Sequence, residues 1–153
     1  MNEELKDVVN RLKNNIKTVP GKFLNFPEEK LNKKAAPTKW SKKELLGHLV
    51  DSAANNHHRF VKAQFQEEPF YMDDYAQNEW VDVQKYNDKE TRSLVELWKV
   101  YNQHILFIME NIPKKNLKIK CIAEDAFENA ETIFLLMKDY VDHMDHHLNK
   151  IFN

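Results

Sequence analysis

Only two glycines, Gly21 and Gly47, occur among the 153 residues. Average glycine usage is about 7%, so roughly ten would be ordinary at this length. Sheet hairpins turn through residues with positive φ, and glycine is the usual residue there. A meander, barrel or sandwich is therefore not expected. Gly21 and Gly47, so far apart, also cannot write G-x-G-x-x-G, the P-loop or the G-x-S-x-G elbow. That excludes the glycine-rich phosphate loop and the strained serine nucleophile, and leaves function to side chains on helices.

The apolar period fits that exclusion, because four helical segments can be read from it. The first runs over residues 3–18, with Leu5, Val8, Leu12 and Ile16 on one stripe, and Pro20-Gly21 is expected to end it. The second opens at Ser41, where Ser41 and Glu44 form a capping box and Trp40 is placed to staple onto Leu45. It continues through Leu49, Ala53, Phe60 and Phe65 and stops before Pro69. The third spans 88–111, with Leu94, Leu97, Tyr101, Ile105 and Ile108 in register and Pro113 after it. The fourth starts near Thr132, a fitting N-cap, and carries Leu136, Tyr140, His143, His147 and Ile151. Leu117, Ile119 and Cys121 alternate and read as an isolated extended piece.

Four such helices bury their stripes most simply as an all-α four-helix bundle, one domain over residues 1–153. Two connections are long, 18–40 and 67–88. The second holds Phe70, Tyr71, Tyr75 and Trp80, which either cover a site or cap the core.

Net charge is −1, so no global footprint for nucleic acid exists, and no apolar run exceeds five residues, so no membrane span is expected. The single cysteine, Cys121, fits a reducing, cytoplasmic setting and reads as structural. Met1-Asn2-Glu3-Glu4 is acidic and does not open a signal peptide. Six lysines lie between Lys30 and Lys43, either a solvated loop or an attraction for an anionic substrate.

The seven histidines are clustered. His143 and His147 stand one helical turn apart, a spacing that lets two imidazoles bind one metal ion. They also fall within the apolar stripe, where a buried polar group needs a partner. Two hydrogen-bonded core histidines are the alternative. Position 144 is methionine, so the glutamate base of H-E-x-x-H is missing. His48 is the best third ligand and His104 the fallback; His57 and His58 lie too far along the helix to join His48. Asp51 and Asp139 are placed to accept the second ring N–H of a ligand histidine. His48 and Ser52 could be misread as base and nucleophile, but no acyl-transfer motif accompanies them.

At this point the chain resembles a family. Trp40-Ser41-Lys42-Lys43-Glu44-Leu45-Leu46-Gly47-His48-Leu49-Val50-Asp51-Ser52, with Arg59-Phe60 after it, is similar to helix 2 of the DinB-like superfamily, in particular its YfiT-type members. His143-Met144-Asp145-His146-His147-Leu148-Asn149-Lys150-Ile151 resembles that family's last motif, although many relatives carry glutamine where this chain has Lys150. The likeness extends over about residues 38–152 and includes the Tyr75 to Trp80 stretch. It implies a bundle of up-down-down-up type with one divalent metal ion on His48, His143 and His147, and it leaves His57, His58, His104 and His146 outside the site. It implies a homodimer and a small-molecule substrate, with no nucleic acid or membrane partner.

Activities among relatives include transfer by low-molecular-weight thiols of the bacillithiol type, the chemistry favoured here. The alternatives are a hydrolase that delivers metal-bound hydroxide and a stress-related metal-binding protein without catalysis. Zinc or nickel comes first among metals, with iron or manganese behind, since imidazole does not choose sharply.

Overall fold

The computed structural model describes residues 3–123 and 131–153. Met1 and Asn2, part of the N-terminal reading, lie outside the described residues. Four long helices carry the fold: α1 (Glu3–Leu24), α3 (Lys42–Lys62), α5 (Thr91–Asn111) and α6 (Ile133–Phe152). Two short ones, α2 (Glu28–Asn32) and α4 (Gln77–Gln84), sit in the connections.

Local chemistry sets most boundaries. Ser41 Oγ accepts the Glu44 N–H at 3.0 Å while Glu44 Oε2 accepts the Ser41 N–H at 2.8 Å, so the expected capping box starts α3. Thr132 Oγ1 caps α6 by accepting the Leu135 N–H at 3.3 Å. α5 starts later than expected, at Thr91, because residues 86–88 form a 3-10 turn and Glu90 caps the helix.

α1 departs furthest from expectation. It runs through Pro20 and Gly21 to Leu24. Proline has no N–H for the carbonyl four residues back, which costs about 3 kcal/mol inside a helix. Continuing the helix keeps the stripe intact and buries Val19 and Phe23, and burying one large apolar side chain is worth about 1.5–3 kcal/mol. Gly21 does not act as a stop because it has no positive φ.

Contacts along the helices give their directions. Arg11 reaches Asp142, Asn15 reaches Asp145, and Lys22 lies over Phe152, so α1 and α6 are parallel. Lys42 donates to the Ile151 carbonyl, and Phe60 packs on Tyr140, so α3 and α6 are antiparallel. Lys43 meets Asn87 and His57 meets Tyr101, so α3 and α5 are parallel. The order is up-down-down-up. Two successive parallel helices need a return connection as long as the bundle, which explains the length of the segment between α3 and α5.

That segment is structured. Phe70–Met72 forms β1, which pairs in parallel with β2 (Lys120–Ala123), and β2 pairs antiparallel with β3 (Glu131–Thr132). The extended piece expected to be isolated is therefore the middle strand, and Leu117 lies in a 3-10 turn before it. A lone strand leaves backbone groups unpaired; one partner, β1, comes from about fifty residues before it, where no local pattern announces it, and the other, β3, follows shortly after it. Phe70 and Tyr86 are buried, Tyr75 is half-buried, and Tyr71 and Trp80 are exposed. Tyr86 explains Gly47: a Cβ there would stand 2.2 Å from the tyrosine ring. No helix among the described residues is long and apolar enough to cross a membrane.

Candidate metal centre

α3 and α6 run antiparallel with His48 facing His143 and His147. His48 Nε2 lies 3.1 Å from His143 Nε2, and His147 Nε2 lies 3.0 Å from the same atom. All three candidate ligand atoms fall within 4.8 Å of one another. Nitrogens around a tetrahedral zinc, at about 2.0–2.1 Å each, would stand roughly 3.3 Å apart. His48 is fully buried, with the Trp40 indole 4.8 Å from its ring.

Hydrogen bonding does not account for this trio. An imidazole nitrogen has either one proton or one lone pair, yet His143 Nε2 faces two nitrogens. His48 Nδ1 and His147 Nδ1 are buried without a partner. Three convergent lone pairs are what a divalent ion requires, so the residues fit a metal. Burial lowers the His48 pKa to about 4, helped by His143. Burial and the neighbouring histidines lower His147 to about 3, and burial lowers His143 as well. All three are neutral at physiological pH, the form that binds metal.

The remaining histidines do not join the convergence, although the His146 ring stands 5.2 Å from that of His147. His57 contacts Tyr101 Oη at 3.1 Å and its ring is 5.0 Å from that of His104, a group between α3 and α5. His58 and His146 are exposed.

The carboxylates behave differently from expectation. Asp51 does not accept a ring N–H from His48. Its Oδ1 accepts from the Tyr86 hydroxyl at 2.5 Å and from Gln84 Nε2 at 2.7 Å, while Oδ2 has no partner. The structured connection supplies these donors, and it had no readable period. Asp139 is hydrogen-bonded to Glu131, whose pKa is raised by burial and by the Asp139 charge. Ser52 is within reach of Asn56. Cys121 is buried and its thiol is pushed up to about 11, chiefly by burial. Of the lysine run, Lys34 pairs with Glu44 and Lys43 with Glu28, so part of it is structural.

A cavity of about 230 Å³ opens beside the trio, with His143, Arg59, Tyr75, Glu131, Asp139 and Tyr140 in its wall. Tyr75 is pushed up to about 12 by burial and by Asp51, so it keeps its proton. Sequence reasoning missed Tyr75 and Glu131 as cavity residues; only the aromatic content of the connection hinted at the first.

No family model and no curated protein matches the sequence. Solved structures do. YfiT from Bacillus subtilis, described as a probable metal-dependent hydrolase with an unusual four-helix bundle topology, superposes with a TM-score of 0.86 at 16% identity, covering 99% of this chain and 86% of that one. A DinB-like protein from Bacillus subtilis, YjoA, superposes with a TM-score of 0.63 at 19% identity, covering 95% of this chain and 87% of that one. The chain therefore has the DinB/YfiT-like fold.

Proposed function

We propose that His48, His143 and His147 hold one divalent metal ion and that the chain is a metal-dependent enzyme of hydrolase type acting on a small molecule. The observation that carries this reading is that the three Nε2 atoms converge while His143 also lines an open cavity. Three protein ligands with access to solvent suit a catalytic site, and a closed four-ligand cage would suit a structural one.

A metal bound there supplies Lewis-acid polarisation and acidifies a coordinated group. The chain's own residues supply the rest. Tyr75 remains a hydrogen-bond donor at neutral pH. Glu131, whose pKa burial and the neighbouring Asp139 charge raise, adds a carboxyl group to the cavity wall near His143.

Thiol transfer on the same centre is the second reading. Cys121 bears on it: a buried thiol at about 11 is no nucleophile, so the thiol must arrive with a cosubstrate. Zinc or nickel suits three imidazoles first. A homodimer is carried over from the family resemblance, and a cytoplasmic setting from the single cysteine, Cys121.

Metal analysis of the wild type beside His48→Ala, His143→Ala and His147→Ala tests the site. Stoichiometric metal in the wild type and its loss in the variants is expected; full retention by all three would overturn the assignment. Turnover of ester or amide substrates without added thiol supports hydrolysis. Turnover only with a thiol and an electrophile supports transfer.

A further inference from the structure

Arg59 stands in the wall of two cavities at once. One is the cavity that reaches His143. The other, about 250 Å³, lies between α3 and the β1–α4 segment and includes His58, Arg59, Lys62, Phe70, Asp73 and Trp80 in its wall. His58, Arg59 and Lys62 fall on one face of α3 and bring basic groups to that second cavity, against one acidic residue, Asp73. Phe70 and Trp80 give it aromatic walls.

The state of the Arg59 guanidinium is unlike that of Arg11. Arg11 is held by Asp142 and Asp145. Arg59 donates through Nη2 to the Asp73 carbonyl oxygen at 2.8 Å, and no carboxylate pairs with it among the described residues. A guanidinium has five donors in a rigid fork. One hydrogen bond to a backbone oxygen orients that fork and leaves most of it unused. Arg59 is only partly exposed, so an anion reaching it meets a charge less screened than one in open solvent.

Charge also differs between the two ends. Glu131 and Asp139 stand with His143 in the first cavity, whereas Lys62 and His58 stand with Arg59 in the second. An anionic group is disfavoured at the first end and favoured at the second.

We infer that Arg59 anchors an anionic group of the substrate, a carboxylate or a phosphate, in the cavity it shares with His58 and Lys62, with the reacting end of the substrate directed to His143. A planar fork suits either anion bidentately. Arg59 is thus a substrate-anchoring residue and the substrate class is a small molecule with an anionic tail. This rests on the metal-centre reading for its direction, but the anion site itself does not need the metal.

The test uses the full metal-free chain. Succinate and inorganic phosphate are titrated separately by calorimetry, and the Arg59 side-chain N–H resonance is followed by NMR. Saturable binding of at least one anion with a shift of that resonance is expected, and preference between the two tells carboxylate from phosphate. Arg59→Gln should weaken binding at least about tenfold, and Arg59→Lys, which keeps the charge and loses the fork, should also weaken it. Thermal melts of both variants check folding. His48→Ala should bind the anion as the wild type does, which separates failure of this inference from failure of the metal assignment. Absence of saturable binding in the wild type, undiminished binding in folded Arg59→Gln, or loss of binding in folded His48→Ala would overturn it.

Discussion

Helix α6 presents two polar faces, and they have been finished in different ways. Toward α1 it offers Asp142 and Asp145, and Arg11 meets both: Nη2 lies 2.7 Å from Asp142 Oδ1 and Nε 3.0 Å from Asp145 Oδ2. Asn15 Nδ2 adds a hydrogen bond to Asp145 Oδ1 at 2.6 Å. Toward α3 it offers His143 and His147, interleaved with those aspartates, and there His143 Nε2 faces the Nε2 atoms of both His48 and His147, which one proton or one lone pair cannot satisfy together. Met144, fully buried, separates the two. The first face is complete with protein alone and fixes the parallel seam between α1 and α6. The second is complete only with something added. Buried polar groups are nearly always satisfied, so the difference marks one seam as structural and the other as a place for a ligand.

The largest expected effect breaks this symmetry outright. Zinc at one hundred times its dissociation constant should stabilise the wild type by about 2.7 kcal/mol. His143→Ala should lose that increment, and Arg11→Ala should keep it. Urea unfolding with and without zinc measures both. An increment that survives in His143→Ala would mean that the two faces do not differ in the way argued.

Acid should separate the faces next. In the metal-free protein His48 titrates at about 4 and His147 at about 3, against an ordinary value of 6.5. As pH falls below about 6.5 the unfolded chain takes up protons that the folded chain refuses. Stability is therefore fully present above about 6.5 and is lost as pH falls toward 4. Asp142 is held below its ordinary 3.8 by Lys138 and Arg11, so the other face weakens only under more acidic conditions. Urea midpoints over this range should slope in the wild type and slope less steeply in His48→Ala, where His147 still contributes. An unchanged slope in that variant would place the acid sensitivity elsewhere.

Legibility in the sequence followed the same division. His143 and His147 were readable because one turn of helix separates them and because a polar residue within an apolar stripe is conspicuous. The capping box at Ser41 and Glu44 was readable because its chemistry is local. Direction of the helices was not readable from the residues themselves and came only through the family resemblance; in the structure it is visible in long-range pairs such as Arg11 with Asp142. Pro20 misled, because the buried side chains of Val19 and Phe23 outweighed a local stop signal. Asp51 misled for a related reason. Its spacing from His48 was right for a second ring N–H, but Tyr86 and Gln84 come from a connection without period and reach the carboxylate first. Arg59 was visible only as part of the helix 2 stretch that resembles the family, with nothing nearby in sequence to say that its charge stays unpaired.

Smaller effects sharpen the structural face. Arg11 is the residue through which Asp142 and Asp145 meet α1, and its side chain is 31% exposed. Arg11→Ala leaves Asp145 without its cation and Asp142 with only the exposed Lys138, and hydrogen bonds to charged groups are worth about 1.5–3 kcal/mol. A loss of about 2 kcal/mol is expected, equal in size with and without metal. A loss that depends on metal would show that the two faces are coupled through Met144.

Lys138 tests whether that cost belongs to the charge on Asp142 or to the link between helices. Its Nζ lies 2.6 Å from Asp142 Oδ2, as short as any contact Arg11 makes with the same residue, but both side chains are exposed and both stand on α6. Water already solvates each group in the unfolded chain, and the pair closes no distance between helices. Such pairs contribute little. Lys138→Ala should leave the urea midpoint unmoved within error while Arg11→Ala shifts it, although the two cations share one carboxylate. Equal shifts from the two substitutions would locate the stabilisation in neutralising Asp142, and would take from Arg11 the role of holding α1 against α6.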